Sequence, residues 1–419
     1  MSDAIVHLSS LVGSPLLDSA GEQLGRVEDL VVRLDGPEER PPVIGVKARI
    51  GGRSLFVPSG GVEALEPAAI RVGTTKLDLA QFERRPGEVL LAEDLLDRSL
   101  INVRTARLVT AREVELVHEQ GAWRVAGIDP SFAPRMWRLM PRRFRGHDSE
   151  HAEFVAWEEM EPLVGHVPHS RLSLAGGRLR RLHPAQIADL VEAASHEEGA
   201  EILQAVGENK EYEADVFEEL DDEHQIEFIK DRSDEAIADV LARMAPDDAV
   251  DLLLELKQER RRPVLALLPA GRQQKIHSLL SHNPSTAGGL MNPDFVSVLG
   301  EASVGEALAR IRSSAFDPSS LSTVCAIDPD GRLSGVLPLA LLVRAGAERT
   351  VAGLVDGPAP AVAVDADLPE VARLMSDYNL LALPVLDLDG RPIGLIAVDD
   401  ILEQLIPEEW RRRAGSARE

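Results

Sequence analysis

The segment SHNPSTAGGLMNPDFVSV, residues 281–298, separates two parts of the chain that have different periodicities. Before it, residues 183–282 consist of short amphipathic stretches with a helical period. After it, one pattern that mixes strand-like and helix-like stretches occurs twice. The sequence therefore predicts a helical array before this junction and a duplicated α/β unit after it.

Apolar anchors recur through the helical part at intervals of 12 or 13 residues. Serine and acidic residues, which favour helix N-termini, lie between them. This pattern predicts short helices that bury a core only against their neighbours, in a superhelix of either hand. The anchors are Leu190, Leu203, Val216, Phe228, Val240, Leu252 and Leu265.

The C-terminal part is a duplication. VGEALARI at 304–311 matches LPEVARLM at 368–375, and DPDGRLSGVLPLALL from Asp328 matches DLDGRPIGLIAVDDIL from Asp387. Each copy predicts strand, helix, strand, Asp-Gly turn, strand and helix, with an insertion at 315–318 in the first copy. Paired units of this kind share a cleft, which is the natural ligand site.

The N-terminal part contains a weaker duplication. The stretch from Leu11 aligns without a gap with the stretch from Leu95, and Gly45 and Gly127 occupy equivalent places in the strand that follows. Short alternating runs and turn signals predict two small β-barrels. The matched apolar pairs are Leu16 and Leu100, Leu24 and Leu108, Leu30 and Val114, and Val32 and Leu116.

Residues 131–182 predict a connector that docks its aromatic side chains on a neighbouring element. Its basic stretch RMWRLMPRRFR is predicted to contact acidic surface of the same chain rather than nucleic acid. Its histidine pairs, in HDSEH at 147–151 and HVPH at 166–169, lack the HExxH spacing of zinc enzymes.

Composition excludes several classes of protein. The 419 residues have a net charge of −25, which disfavours binding to nucleic acid or anionic lipid. The single cysteine, Cys325, excludes an internal disulfide and fits a cytoplasmic protein. The most apolar charge-free run, residues 333–343, is shorter than the roughly 20 residues of a spanning helix, so we expect no membrane insertion. Without a nucleotide-loop, nucleophile-elbow or dinucleotide fingerprint, the chain is predicted not to be an enzyme.

Acidic residues crowd the helical part. Residues 183–282 contain 24 Asp and Glu against 10 Lys and Arg. Such crowding opposes compaction unless cations intervene. A hard cation that prefers oxygen ligands would relieve the repulsion between such carboxylates.

Several of these segments resemble the cytosolic part of MgtE-type magnesium transporters. The resemblance is carried by HPAQIADLVE at 183–192, LARMAPDDAVDLLLEL at 241–256, the junction at 281–298 and the duplicated units, which look like tandem CBS domains. Residues 8–65 also resemble a PRC-barrel, with a weaker second copy near 90–130. In the transporter family a connecting helix then leads into a membrane pore; the corresponding segment here is ILEQLIPEEWRRR, and we expect no pore in this chain.

The predicted fold is a multidomain α+β protein with small PRC-like β-barrels, a short-helix superhelical array and a tandem α/β CBS pair. The predicted domains are 1–88 (PRC-barrel-like), 89–130 (a second, weaker PRC-like unit), 131–182 (connector), 183–286 (MgtE N-like), 287–349 (CBS 1), 350–406 (CBS 2) and 407–419 (C-terminal tail).

The resemblance implies a set of magnesium ligands, namely Asp247, Asp251, Asp400, Glu403 and Asp215. From the residues alone, Asp247 and Asp248 are also explained as first-turn helix residues after Pro246, and Asp400 suits the entry to a final helix. Where the family commonly has an aspartate, this chain has Asn379, whose neutral carbonyl weakens that site.

Adenine nucleotide is the alternative ligand. CBS pairs that bind adenosyl groups place a hydroxyl and an aspartate after a glycine; in GLIAVDD the hydroxyl position is Ala397 while Asp400 remains. In GVLPLAL, Pro338 and Leu341 replace both, so Asp400 marks at most one half-site.

The sequence thus predicts a magnesium-sensing regulatory protein without a pore of its own, in which domains close on cation binding. The resemblance implies a homodimer through the CBS pair and a separate membrane magnesium transporter as partner. A CBS-based adenine nucleotide sensor and a structural adaptor that uses the PRC-like barrels are the alternatives.

Overall fold

The computed structural model describes residues 5–34, 39–66, 69–73, 81–85, 87–119, 121–130, 154–162, 179–316 and 319–407. The chain divides into two compact units, Met1–Tyr212 and Glu213–Glu419, which are described separately below. The basic stretch at 135–145, both histidine pairs and the tail after 407 lie outside the described residues, as does part of the insertion at 315–318.

The first unit begins with a region of strands. The strands are β1 Ile5–His7, β2 Pro15–Leu17, β3 Gln23–Arg33, β4 Val43–Ile50, β5 Arg53–Pro58, β6 Val62–Glu66, β7 Ala69–Val72, β8 Glu88–Leu90, β9 Ser99–Asn102, β10 Arg107–Thr110, β11 Glu113–Glu119, β12 Ala122–Asp129, β13 Val155–Ala156 and β14 Met160–Pro162. A short helix α1, Leu8–Leu11, follows β1, and a helical turn, Leu91–Leu95, follows β8. The two halves thus repeat one order of elements, as the alignment of Leu11 with Leu95 predicts.

The two halves exchange their leading strands. β1 of the first half pairs with β11 of the second, and β8 of the second half pairs with β3 of the first. Both halves also contribute to one hydrophobic core: Leu16 and Leu100 are each fully buried, as are Leu30 and Val114. The halves are therefore interlocked, and the domain boundary predicted between residues 88 and 89 falls inside β8.

The prediction of a strand-rich N-terminal part is confirmed, but no closed barrel is found among the described residues. The largest sheet runs β5-β4-β3-β2-β7-β6, with β8 beside β3, and its pairings end at β5 and β6. Two further sheets run β1-β11-β12-β13 and β10-β9-β14. Because each half gives its leading strand to the other, the strands of one half do not close on themselves.

Part of the predicted connector belongs to this region. β13 pairs with β12, and β14 pairs with β9. Trp157 between them is 5% exposed and packs into the shared core, which agrees with the predicted docking of an aromatic side chain. Phe154, by contrast, is exposed.

The predicted short helices follow residue 182. They are α2 Pro184–Ala193, α3 His196–Val206, α4 Lys210–Glu218, α5 Asp222–Ile229, α6 Asp234–Leu241, α7 Pro246–Glu255, α8 Gln258–Leu267 and α9 Ala270–Leu279. Each of the seven anchors lies in a helix of its own, from α2 to α8, and all except Leu265 are buried. Ser195, Asp221 and Ser233 cap α3, α5 and α6 with their side-chain oxygens.

Within the second unit, the helices stack two apart. α5 packs on α7, α6 on α8 and α7 on α9, in addition to contacts between successive helices. This is the packing expected of short helices that bury their apolar faces only against neighbours in an array.

The duplicated part has the predicted order of elements. After the short helix α10, Ala287–Leu290, the first copy contains β15 Val296–Leu299, α11 Val304–Ser313, β16 Thr323–Ile327, β17 Leu333–Pro338 and α12 Leu339–Arg344. The second contains β18 Val362–Ala363, α13 Leu368–Tyr378, β19 Ala382–Leu386, β20 Pro392–Ala397 and α14 Val398–Leu405. In each copy the first two strands are parallel and the third is antiparallel. Cys325 lies buried in β16, and burial raises the pKa of its thiol to about 12.

Candidate metal site

Helix α7 carries three carboxylates beside its buried apolar residues. Pro246 occupies its first position, and the side chains of Ala249, Val250, Leu252 and Leu253 are buried against neighbouring elements. Asp247 and Asp251 are four residues apart and so lie on one side of the helix. Asp248 adjoins them in the first turn, where the helix dipole favours negative charge.

Helix α14 supplies the second group of carboxylates. It begins directly after β20 and buries Ile401, which leaves Asp400 and Glu403, three residues apart, near one another on its surface. The Asp400 carboxylate accepts a hydrogen bond from the backbone N–H of Ala397 at 3.2 Å. Asp400 therefore caps the helix, as a residue at this position is expected to do, and it keeps further oxygen lone pairs for another partner.

The carboxylates of α7 and α14 influence one another. Burial raises the pKa of Asp400 to about 7, with further increases from the negative charges of Asp247, Asp399 and Glu403. A carboxyl group whose neighbours are negative holds its proton at a higher pH, because ionisation would add to their repulsion. The two helices thus bring their acidic residues to one place in the second unit.

The pKa values of Asp248 and Asp251 on α7 are raised by the same two causes, burial and neighbouring negative charges. Burial raises the pKa of Asp248 well above its usual range, and the charges of Asp247, Glu218 and Asp400 raise it further. Asp251 is exposed, yet loss of surrounding water raises its pKa to about 6, with a contribution from acidic neighbours that include Glu403. We call Asp247, Asp248, Asp251, Asp400 and Glu403 the acidic cluster.

Asp247 carries an acceptor without a partner. Its Oδ1 atom is buried and accepts no hydrogen bond within the described part of the chain. Burial, followed by the charge of Asp251, raises the pKa of Asp247 to about 6, although the backbone N–H groups of Asp247 and Asp248 favour the ionised carboxylate. A buried acceptor of this kind is satisfied by a proton or by a cation. Because the donors are carboxylate oxygens without nitrogen or sulfur, the set fits a hard cation such as Mg²⁺.

Four of the five predicted ligands thus lie together in the second unit. Asp215 is exposed on α4 and is not among the charges described above as raising the pKa values of the cluster. Sequence reasoning treated Asp248 only as a helix-capping residue, although the spacing of three residues to Asp251 places it near that side chain. It missed Glu218, whose carboxylate accepts the backbone N–H of Ala245, because no pattern links residues 27 positions apart.

Asn379 has a local structural role. It ends α13 with φ 50° and ψ 49°, the left-handed conformation that asparagine adopts more readily than other residues except glycine. Asn379, which stands where the resemblance implies an aspartate, therefore suits the left-handed conformation at this helix end.

The comparisons with known proteins address the same region. The MgtE intracellular N domain family matches residues 182–285, and the CBS domain family matches residues 287–348 and 351–407. A crystal structure described as the cytosolic domain of the Mg²⁺ channel MgtE in complex with ATP is 30% identical, with a TM-score of 0.51; the match covers 55% of this chain and 94% of that one. The chain belongs to the MgtE family.

Other MgtE relatives agree with this assignment. The magnesium transporter MgtE of Thermus thermophilus is 31% identical over 233 residues, which are 55% of this chain and 51% of that protein. The magnesium transporter MgtE of Bacillus subtilis is 26% identical over 210 residues, or 49% of this chain and 46% of that protein. A structure described as the soluble part of a magnesium transporter is 26% identical with a TM-score of 0.51, over 55% of this chain and 90% of that one.

The chain spans about half the length of these curated MgtE relatives. Within the described residues, none of the helices combines the length and the apolar character that crossing a membrane requires.

Proposed function

We propose that this protein is a magnesium-responsive regulatory protein whose helical array and CBS pair close on each other when the cation binds. The observation that supports it most directly is the convergence of Asp247 and Asp251 on α7 with Asp400 and Glu403 on α14. These carboxylates lie far apart in sequence, yet the charges on one helix raise pKa values on the other. Such an arrangement is stable at neutral pH only if protons or cations offset the repulsion.

Magnesium would be held by oxygens of Asp247, Asp251, Asp400 and Glu403, with Asp248 close by and Asp215 as a more distant contributor. When bound, it supplies two positive charges that neutralise the carboxylates, while water completes its coordination. The buried Oδ1 of Asp247 gives the array an oxygen that a cation would satisfy. The cation shifts the equilibrium toward the closed arrangement only by its higher affinity for that state.

The partner follows from the names of the relatives, which are magnesium transporters and the cytosolic domain of a magnesium channel. We propose that this cytoplasmic protein reports the magnesium level to a membrane magnesium transporter, either through its strand-rich region or through the segment after α14. We further propose that it acts as a homodimer paired through its CBS domains and performs no catalysis.

The test is a magnesium titration of the full chain, followed by calorimetry and by X-ray scattering. We expect binding and a smaller radius of gyration in millimolar magnesium than in chelator. Asp247→Asn and Asp400→Asn should each weaken binding at least tenfold, because each removes a charged ligand. Glu259→Gln, an exposed change in the first turn of α8, should leave binding unchanged. Identical scattering profiles in chelator and in magnesium would exclude domain closure.

A second candidate is an adenine nucleotide sensor. It is favoured by the ATP complex of the MgtE cytosolic domain and by the position of Asp400 in the first turn of α14, just after β20. Titration with ATP or AMP in magnesium-free buffer should then release heat, and Asp400→Asn should abolish it. Ala397→Thr, which introduces the missing hydroxyl at a helix N-cap, should tighten binding. A protein that responds to neither ligand would be a structural adaptor.

A further inference from the structure

Arg272 lies on α9 and reaches the segment that joins α6 to α7. Its Nε and Nη2 atoms donate hydrogen bonds to the carbonyl of Leu241 at 3.1 and 3.0 Å, and Nη2 also donates to the carbonyl of Met244. These carbonyls belong to the end of α6 and the turn after it, where helices leave carbonyls without partners. The guanidinium group is therefore fixed immediately before the first turn of α7.

Glu218 holds the same segment. Ala245 is the N-cap of α7 and has no side-chain oxygen, so the carboxylate of Glu218 accepts its backbone N–H instead. Arg272 and Glu218 together hold residues 241–245, and Asp247 follows after Pro246. The positive charge of Arg272 interacts most with the negative charge of Asp294, and then with those of Asp247, Glu218 and Asp248.

We propose that Arg272 is a built-in counter-cation that sets the magnesium affinity of the acidic cluster. This inference rests on the proposed function. A fixed positive charge stabilises the carboxylates before a metal arrives, and it repels an incoming divalent cation at the same distance. It thereby makes the cluster respond at a higher magnesium concentration than its carboxylates alone would require.

The array contains a matched arginine without this charge relationship. Arg260, one repeat earlier on α8, donates to the carbonyls of Arg232 at 2.6 Å and Lys230 at 3.0 Å. Arg260 reaches back 28 residues to Arg232, as Arg272 does to Met244. Its charge is paired with Asp234, at 2.7 Å. Removing Arg260 therefore removes equivalent helix-end hydrogen bonds together with a charge that is already paired with Asp234.

The experiment is a magnesium titration of the full chain by calorimetry, with Arg272→Gln, Arg272→Lys and Arg260→Gln compared with the wild type. We expect Arg272→Gln to bind magnesium about three- to tenfold more tightly, from the loss of one unit charge near the cluster. Arg272→Lys, which keeps the charge, and Arg260→Gln should bind like the wild type. A merely structural role of Arg272 predicts weaker binding, because a damaged site loses affinity.

Binding by Arg272→Gln that is no tighter than that of the wild type overturns the inference and leaves the proposed function intact. A wild type that binds no magnesium overturns both. If Arg272→Gln does not fold, Arg272→Met, which preserves the aliphatic stem, replaces it. The rise in Tm on adding magnesium then gives the same comparison, with a larger rise than the wild type expected.

Discussion

Asp29 and Glu113 occupy equivalent positions 84 residues apart, and each carboxylate accepts backbone N–H groups from the helix of the opposite half. Asp29, on β3, accepts from Ala92 at 2.8 Å and from Glu93 at 3.0 Å. Glu113, on β11, accepts from Ser9 at 3.0 Å. Each half therefore depends on the other for the start of its helix as well as for an edge strand.

Asp29→Ala should destabilise the strand-rich region more than Glu113→Ala does. Asp29 is 3% exposed and also accepts the N–H of Leu30, so its loss leaves buried donors without partners, at a penalty of about 2–3 kcal/mol. Glu113 is less buried. Three of the four tryptophans lie before residue 158, so tryptophan fluorescence during urea unfolding reports on this region. Equal losses in the two variants would contradict the argument from burial.

Gly45→Ala should disturb the packing of β4 on β5. A Cβ atom at Gly45 would lie 2.4 Å from the ring of Phe56 and 2.6 Å from the carbonyl oxygen of Val57, so ring and strand must move. Overpacking of this kind destabilises by about 1–3 kcal/mol. The control is Gly60→Ala, where a Cβ atom would meet nothing within 4 Å. Urea unfolding monitored by fluorescence compares the two, and similar midpoints would contradict the expected clash.

The duplications are the part of the fold that the sequence predicts best. Anchors spaced 12 or 13 residues apart mark one helix each, because every helix must bury a stripe against its neighbours. Gly45 and Gly127 were matched by alignment, and both prove to lie under phenylalanine rings, those of Phe56 and Phe154. Where the same packing contact occurs in both copies of a duplication, the same residue type recurs at equivalent positions.

The exchange of β1 and β8 between the two halves could not be predicted from the sequence. Alternation of apolar and polar residues shows which segments are strands, but not which partner they choose, so separate barrels were the simplest expectation. Prediction of the acidic cluster was limited in the same way, because helix capping alone explains why an aspartate occurs at position 247 and at position 400. The resemblance to MgtE was needed to predict a site shared by α7 and α14, and the structure then showed that their carboxylates interact.

Asn379→Ala should destabilise the second CBS copy, whereas Asn379→Gly should not. The left-handed backbone at this position carries a penalty of about 1 kcal/mol for most residues with a Cβ atom, which glycine avoids. Thermal unfolding followed by circular dichroism measures the difference. Equal stability of the two variants would mean that the side chain, and not the backbone conformation, matters here.

Without metal, the protein should lose stability as the pH rises from about 5.5 to 7.5. Asp247 and Asp400 have pKa values of about 6 and 7 in the folded protein, above their ordinary value of 3.8. Between those values the folded state binds more protons than the unfolded state, so the free energy of unfolding falls with rising pH and levels off above the folded pKa values. For Asp400 we expect a loss of about 1 kcal/mol after allowance for solvent screening.

The checks on this pH dependence are Asp400→Asn and magnesium itself. In chelator, Asp400→Asn should show a smaller fall in Tm between pH 5.5 and 7.5 than the wild type, because its amide does not titrate and still accepts the N–H of Ala397. Magnesium should raise the Tm of the wild type more at pH 7.5 than at pH 5.5, since protons and the cation compete for the same oxygens. If the effect of magnesium on Tm did not depend on pH, the cation would bind elsewhere than at the acidic cluster. Binding to carboxylates that titrate in this pH range would displace protons and would therefore depend on pH.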